Sequence, residues 1–208
     1  MSERAQAWLL AAAVFGQAAG LWRLAHLDAR ALVLGLFLAA AVLAGWRARR
    51  LWSPHLDIIL VMGALGGFGM LLGTWADARF APSLAGVACP MHTRADAGLF
   101  TWMTGLMLLA AVPPGAAWSR CLERFRGHRP SFAAALAVDT AGMLAGMTAC
   151  GLWFAEPFTL LAGSAAAGMH LAMLAGMLAG VGGALAPRDW LAGQMARSRP
   201  PDGVPQSR

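Results

Sequence analysis

The chain has 208 residues, 59% of them hydrophobic and only 12% charged, and its sixteen basic residues, all arginine, stand against ten acidic ones for a net charge of +6. Apolar stretches of membrane-spanning length recur along it, which excludes an ordinary soluble domain and points to an integral membrane protein. The arginines sit in short gaps between apolar runs instead of clustering on one polar face, which argues against a nucleic-acid partner and for membrane topology.

The pattern predicts an all-α integral membrane protein, a bundle of about six transmembrane helices within residues 1–186. Spans fall at about 7–22, 31–46, 56–74, 97–117, 131–154 and 158–186. The first resembles a signal peptide in having Arg4 before an apolar core, but its run ends in Trp22 and Arg23, as the anchor of an uncleaved span would. The first two runs are short for a bilayer core of about 30 Å, which needs ~20 helical residues. One of them must extend into its flanks or sit at the edge. The connection 75–96 is the longest, and it carries Cys89, Met91 and His92 in "CPMH". The connection "WSRCLERFRGHRP" is strongly basic and suits anionic headgroups. Residues 187–208 are expected to form a short interfacial segment and a disordered cytoplasmic tail rich in proline.

Twelve of the sixteen arginines fall in the segments that would face the cytoplasm if the N-terminus lies inside; Arg23, Arg30, Arg79 and Arg94 are left outside. Positive charge is retained on the cytoplasmic side, so the expected arrangement is N-in, C-in in the inner (cytoplasmic) membrane. Trp22, Trp46, Trp52, Trp75, Trp118, Trp153 and Trp190 fall near span ends, where amphipathic rings sit at headgroup level.

"GMLAG" occurs at Gly142–Gly146 and Gly176–Gly180, and "GMLLG" at Gly69–Gly73. Apolar surface gives helices little reason to associate in lipid, so close van der Waals approach has to hold them, and glycines four apart permit it. The third, fifth and sixth spans are therefore expected to pack tightly through these glycines.

Counting about 1.5 Å of rise per residue from the inner ends puts His170, Met70, Met103, Met107, Met143, Met147, Met173 and Met177 roughly 14–24 Å deep, in one central band. Asp139, Met143, Gly146 and Cys150 share one face of the fifth span; Met169, Met173, Gly176 and Gly180 share one face of the sixth, with His170 and Met177 beside it. Thioether, thiol and imidazole are ligand types that suit Cu(I). The candidate metal set is thus His170, Met169, Met173, Met177, Met143, Met147 and Cys150, with Cys89, Met91 and His92 as an outer receiving point. Methionine is equally a flexible packing residue that fills gaps beside glycine.

Asp139 is an intramembrane ionisable group. A carboxylate at such depth is costly and calls for a cavity or a partner. It is either a proton or cation site, or a protonated acid hydrogen-bonded across the bundle to a residue such as Gln17 or Thr104. Bis-histidine haem is disfavoured, because His55 and His170 differ in depth and His26, His92 and His128 lie in connections. No catalytic triad, phosphate-cradling loop or paired carboxylates stand out, which favours a non-enzymatic protein.

Three functions are compatible with these features. The first is an accessory or scaffold subunit, packing through its small-residue faces against a membrane-protein partner or a second copy. The second is a Cu(I) transporter or metalloenzyme assembly factor, with copper as the one candidate metal. The third is proton-coupled transport of a small solute at Asp139. The topology is open to a direct check: a membrane-impermeant thiol reagent should label Cys89 from outside and Cys121 only from inside. The reverse accessibility would overturn the orientation.

Overall fold

The computed structural model describes residues 2–52, 56–80, 101–118, 122, 129–188, 190 and 194. Six helices run through them: α1 Glu3–Leu24, α2 Ala29–Trp52, α3 Leu56–Phe80, α4 Trp102–Trp118, α5 Arg129–Ala162 and α6 Ala165–Gly183. No strand occurs among the described residues. Five helices are long and apolar enough to cross a membrane; α4, with 17 residues, is not among them. At about 1.5 Å per residue α4 spans roughly 25 Å, a few ångströms less than a bilayer core. The sequence thus predicts one span more than these length and composition criteria support. The first two helices, short in the sequence reading, gain their length from polar flanks at Glu3–Gln6 and Arg47–Trp52.

The largest difference in boundaries lies between the last two helices. The sequence places a break at 155–157, before Phe158, yet α5 runs through Pro157 to Ala162. Proline removes one backbone hydrogen bond but does not by itself end a helix that is held on both sides. The turn falls instead at Gly163, whose φ of +73° suits glycine, followed by Ser164, whose hydroxyl accepts from Ala167 N at 3.3 Å as the N-cap of α6.

Helices next to one another in sequence form the most extensive contacts: α1 with α2, α3 with α4, and α5 with α6. The third helix lies in the middle, touching α1, α2, α4 and α6. Two ends of the bundle can be named by their residues. The Ser164 end holds the α1–α2 and α5–α6 turns and the α3–α4 approach; the Arg188 end holds the first turn of α1 and the segment after α6.

The α5–α6 contact is made by backbone. A methyl group on Gly142 would stand 2.5 Å from Gly180 O and 2.9 Å from Ala184 Cβ; on Gly146 it would meet Gly176 O, and on Gly180 it would meet Gly142 O. On the α3–α4 seam a methyl on Gly69 would collide with Leu106 O and one on Gly73 with the Met103 backbone. All six glycines of the repeated pentapeptides therefore face another helix of the same chain. The outward surface instead carries large apolar side chains such as Trp8, Phe37, Trp153 and Leu160, each at least 70% exposed, as lipid contact requires.

Gly146→Leu should abolish correct α5–α6 packing, whereas Gly183→Ala, at a position with nothing within 4 Å, should be tolerated. Thermal unfolding in detergent checks this. Equal stability of the two variants would show that the seam is not close-packed.

Candidate functional site

The polar residues inside the bundle sort into satisfied and unsatisfied groups. At the Ser164 end the Asp77 carboxylate, on α3, accepts hydrogen bonds from Trp102 N and Met103 N, 3.0 Å each, and so caps the start of α4. Thr101 Oγ1 accepts from Thr104 N at 3.2 Å beside it. A carboxylate facing free N–H groups and the positive end of a helix dipole is well placed. Together with the close approach at Gly73, this cap sets where Met103 lies. Gln17 donates from Nε2 to Ala64 O at 2.5 Å, next to Gly67, where any side chain would collide with the Gln17 amide.

Asp139 pairs with neither Gln17 nor Thr104. Thr104 belongs to the opposite end of the bundle, whereas Asp139 lies toward the Arg188 end. There the Arg188 guanidinium, one turn past α6, donates from one nitrogen to both carboxylate oxygens, at 2.9 and 3.2 Å. Both side chains are fully buried. The sequence places Arg188 in an interfacial segment; the structure buries it against the bundle beside Asp139, because an ionised carboxylate inside lipid is costly to leave without a counter-charge.

One histidine stands apart. His170 is 95% buried on the second turn of α6, and its Nε2 has no hydrogen-bond partner among the described residues. It lies on the wall of a cavity of about 410 Å³ at the Ser164 end, shared with Met70, Thr74, Met103, Met173 and His26. Thr74 turns its hydroxyl to Met70 O at 2.9 Å, so it offers the cavity a carbon wall more than a donor. The next layer inward is closed: Met107 and Met177, one helical turn beyond Met103 and Met173, are fully buried near Gly66.

His170 is held by its surroundings. Ser164 Oγ, which caps α6, also donates to Leu24 O at 3.0 Å, tying the start of α6 to the end of α1. That end of α1 is unusual. His26 and Leu27 have φ of +53° and +69°, and the Leu27 amide reaches back to Trp22 O at 2.8 Å, a left-handed helix stop usually made with glycine. A non-glycine residue held in this conformation at the edge of a cavity is a strain that functional sites often carry. At the same corner Arg30 hydrogen-bonds Asp28 from its side chain and its backbone, which holds the Asp28 carboxyl below its usual range.

The candidate residues are thus distributed as follows. His170 and Met173 line the cavity; Met177 lies beneath it; Met143 and Met147 are fully buried in the same core cluster, with Met169 half-buried against it. Cys150 faces Gly176 on the α5–α6 seam, where its Cβ would be 2.7 Å from a methyl placed on that glycine. Cys89, Met91 and His92 lie outside the described residues. Met70 and Met103 belong to the methionine band of the sequence but not to its candidate metal set, and the sequence places His26 in a connection. Met70 sits inside the repeated "GMLLG", which was the available hint; nothing in the local sequence marks His26. No group of three or more His, Cys, Asp or Glu side chains clusters among the described residues, so any metal here must rely on thioethers.

Comparison of the chain with protein-family models, with characterised proteins and with solved structures returns no match. Geometry alone bears on function.

Removing one partner of the buried pair, as in Arg188→Met, should destabilise the fold by about 3–5 kcal/mol by stranding a buried charge. Joint replacement, Asp139→Leu with Arg188→Met, should recover most of that loss. Unfolding in graded denaturing detergent measures both, and additive losses would show that the two groups are not coupled.

Proposed function

We propose that this chain is a multi-pass membrane protein that binds a soft monovalent cation, Cu(I), in the cavity beneath the Ser164 turn. The observation that carries the reading is the His170 imidazole, buried with Nε2 unpartnered, on one wall with Met70, Met103 and Met173. A buried neutral imidazole presents either an N–H or a lone pair at that atom, and leaving it unmatched is costly. A cation that prefers imidazole and thioether ligands relieves the cost, and three methionines next to it supply that preference. Neutral ligands hold such an ion without strong trapping, as a protein that passes it on requires.

Arginine asymmetry supports orienting the Arg188 end toward the cytoplasm and the cavity toward the outside of the inner membrane. The ion would then arrive from the outer face, where the "CPMH" segment between α3 and α4 supplies further soft ligands in sequence. The scaffold reading is less favoured because its glycine faces meet within the chain. Proton coupling at Asp139 is less favoured because a guanidinium already neutralises the carboxylate.

Purified protein, reduced and titrated with Cu(I) against a colorimetric chelator, should hold about one ion per chain. Joint replacement of Met70, Met103 and Met173 by leucine conserves volume. It should weaken binding by at least tenfold, roughly the effect of losing even an outer-shell contact. Wild-type protein that yields all its copper to the chelator, or a triple variant that binds as well as wild type, would overturn the assignment.

A further inference from the structure

At the Arg188 end the first three turns of α1 and the second half of α2 enclose a second opening, a groove of about 470 Å³. Arg4 and Arg47 stand on it, one from each helix, and both are exposed. Neither guanidinium makes a hydrogen bond or an ion pair among the described residues. That contrasts with Arg30 and Arg188, each of which is paired with a carboxylate. Glu3, next to Arg4 in sequence, is not part of the groove wall.

Below the two arginines the groove is apolar. Alanines such as Ala11 and Ala40 leave its floor open, because they carry too little side chain to fill the space between the helices. Trp8, 77% exposed, and Trp46, buried, stand near the charged end, at the level where indole rings sit between headgroups and acyl chains.

We infer that this groove is a binding site for one anionic glycerophospholipid, whose phosphate lies between Arg4 and Arg47 and whose acyl chain occupies the alanine-floored space between α1 and α2. Guanidinium groups match a phosphate through paired N–H donors. A free anion would use only the charged end and leave the apolar floor uncovered. A zwitterionic lipid fills the floor but brings its own cation to the phosphate. The ligand that uses both halves is therefore an anionic lipid of the leaflet at the Arg188 end. This assignment is independent of the His170 cavity, which lies at the opposite end of the bundle.

The test is carried out on the full chain in mild detergent, with native mass spectrometry reading lipid retention during titration with dioleoylphosphatidylglycerol or dioleoylphosphatidylcholine. Wild-type protein should prefer the phosphatidylglycerol, and Arg4→Gln with Arg47→Gln should reduce that preference by about tenfold. The matched pair Arg23→Gln with Arg79→Gln should leave it unchanged. Because the charge-neutralising pair could fail to fold, Ala40→Phe, which fills the groove and keeps both arginines, should lower phosphatidylglycerol retention on its own. The inference is overturned by any of three results: wild-type protein without preference between the lipids, folded Arg4/Arg47 and Ala40 variants that retain phosphatidylglycerol as wild type does, or displacement of the bound lipid by millimolar inorganic phosphate.

Discussion

The close approach of α5 and α6 through Gly142, Gly146, Gly176 and Gly180 is the contact on which the rest of the structure depends. In lipid the gain from removing apolar surface from water is already made on insertion, so helix pairs are held by dispersion across short distances and by the few polar groups they share. Backbone touching backbone is the densest contact two helices can make. Once that seam is set, the Gly163 turn at one end and Arg188 at the other have little freedom. His170, on the same helix, is turned toward α3 and α4 as a consequence.

Across the bundle, three buried polar side chains meet partners on other segments. Asp77 receives the free amides of α4, Gln17 reaches Ala64 O, and Asp139 receives Arg188. These pairings lock particular helices together at particular heights, a specificity that apolar packing alone supplies poorly. Against this background His170 Nε2, buried without a hydrogen-bond partner among the described residues, stands out because it borders open volume. Its neighbours are methionines, which solvate a soft cation well and a hard one badly.

The same methionines explain why chemistry and packing look alike in this chain. Met107, Met143, Met147 and Met177 are fully buried in one continuous cluster, where a flexible thioether fills the irregular space left by glycine. Met70, Met103 and Met173 are buried too, but they border open volume. What separates a candidate ligand from a filler is not residue type or depth but whether space for an ion lies beside the sulfur.

Membrane character, the multi-pass helical pattern and the glycine spacing were legible in the chain itself, because hydropathy and a 3.6-residue period are local properties. Periodicity also grouped Asp139 with Met143 and Met173 with Gly176 on single faces. It could not say which faces meet. The glycine pentapeptide is compatible with any close partner, and only the fold showed that the copies on α5 and α6 meet each other while the α3 copy meets α4. The spans read from the sequence leave a gap at 155–157, but the left-handed turn at Gly163 and its contacts decide where α5 stops. Arg188, thirty-two residues after Glu156, the nearest charged residue before it, carried no local mark of burial. Its pairing with Asp139, 49 positions earlier, exists only because α6 returns antiparallel to α5. The cavity that gathers Met70, Met103, His170 and His26 from four helices or their ends is likewise a product of tertiary contact, since these four residues are far apart in sequence.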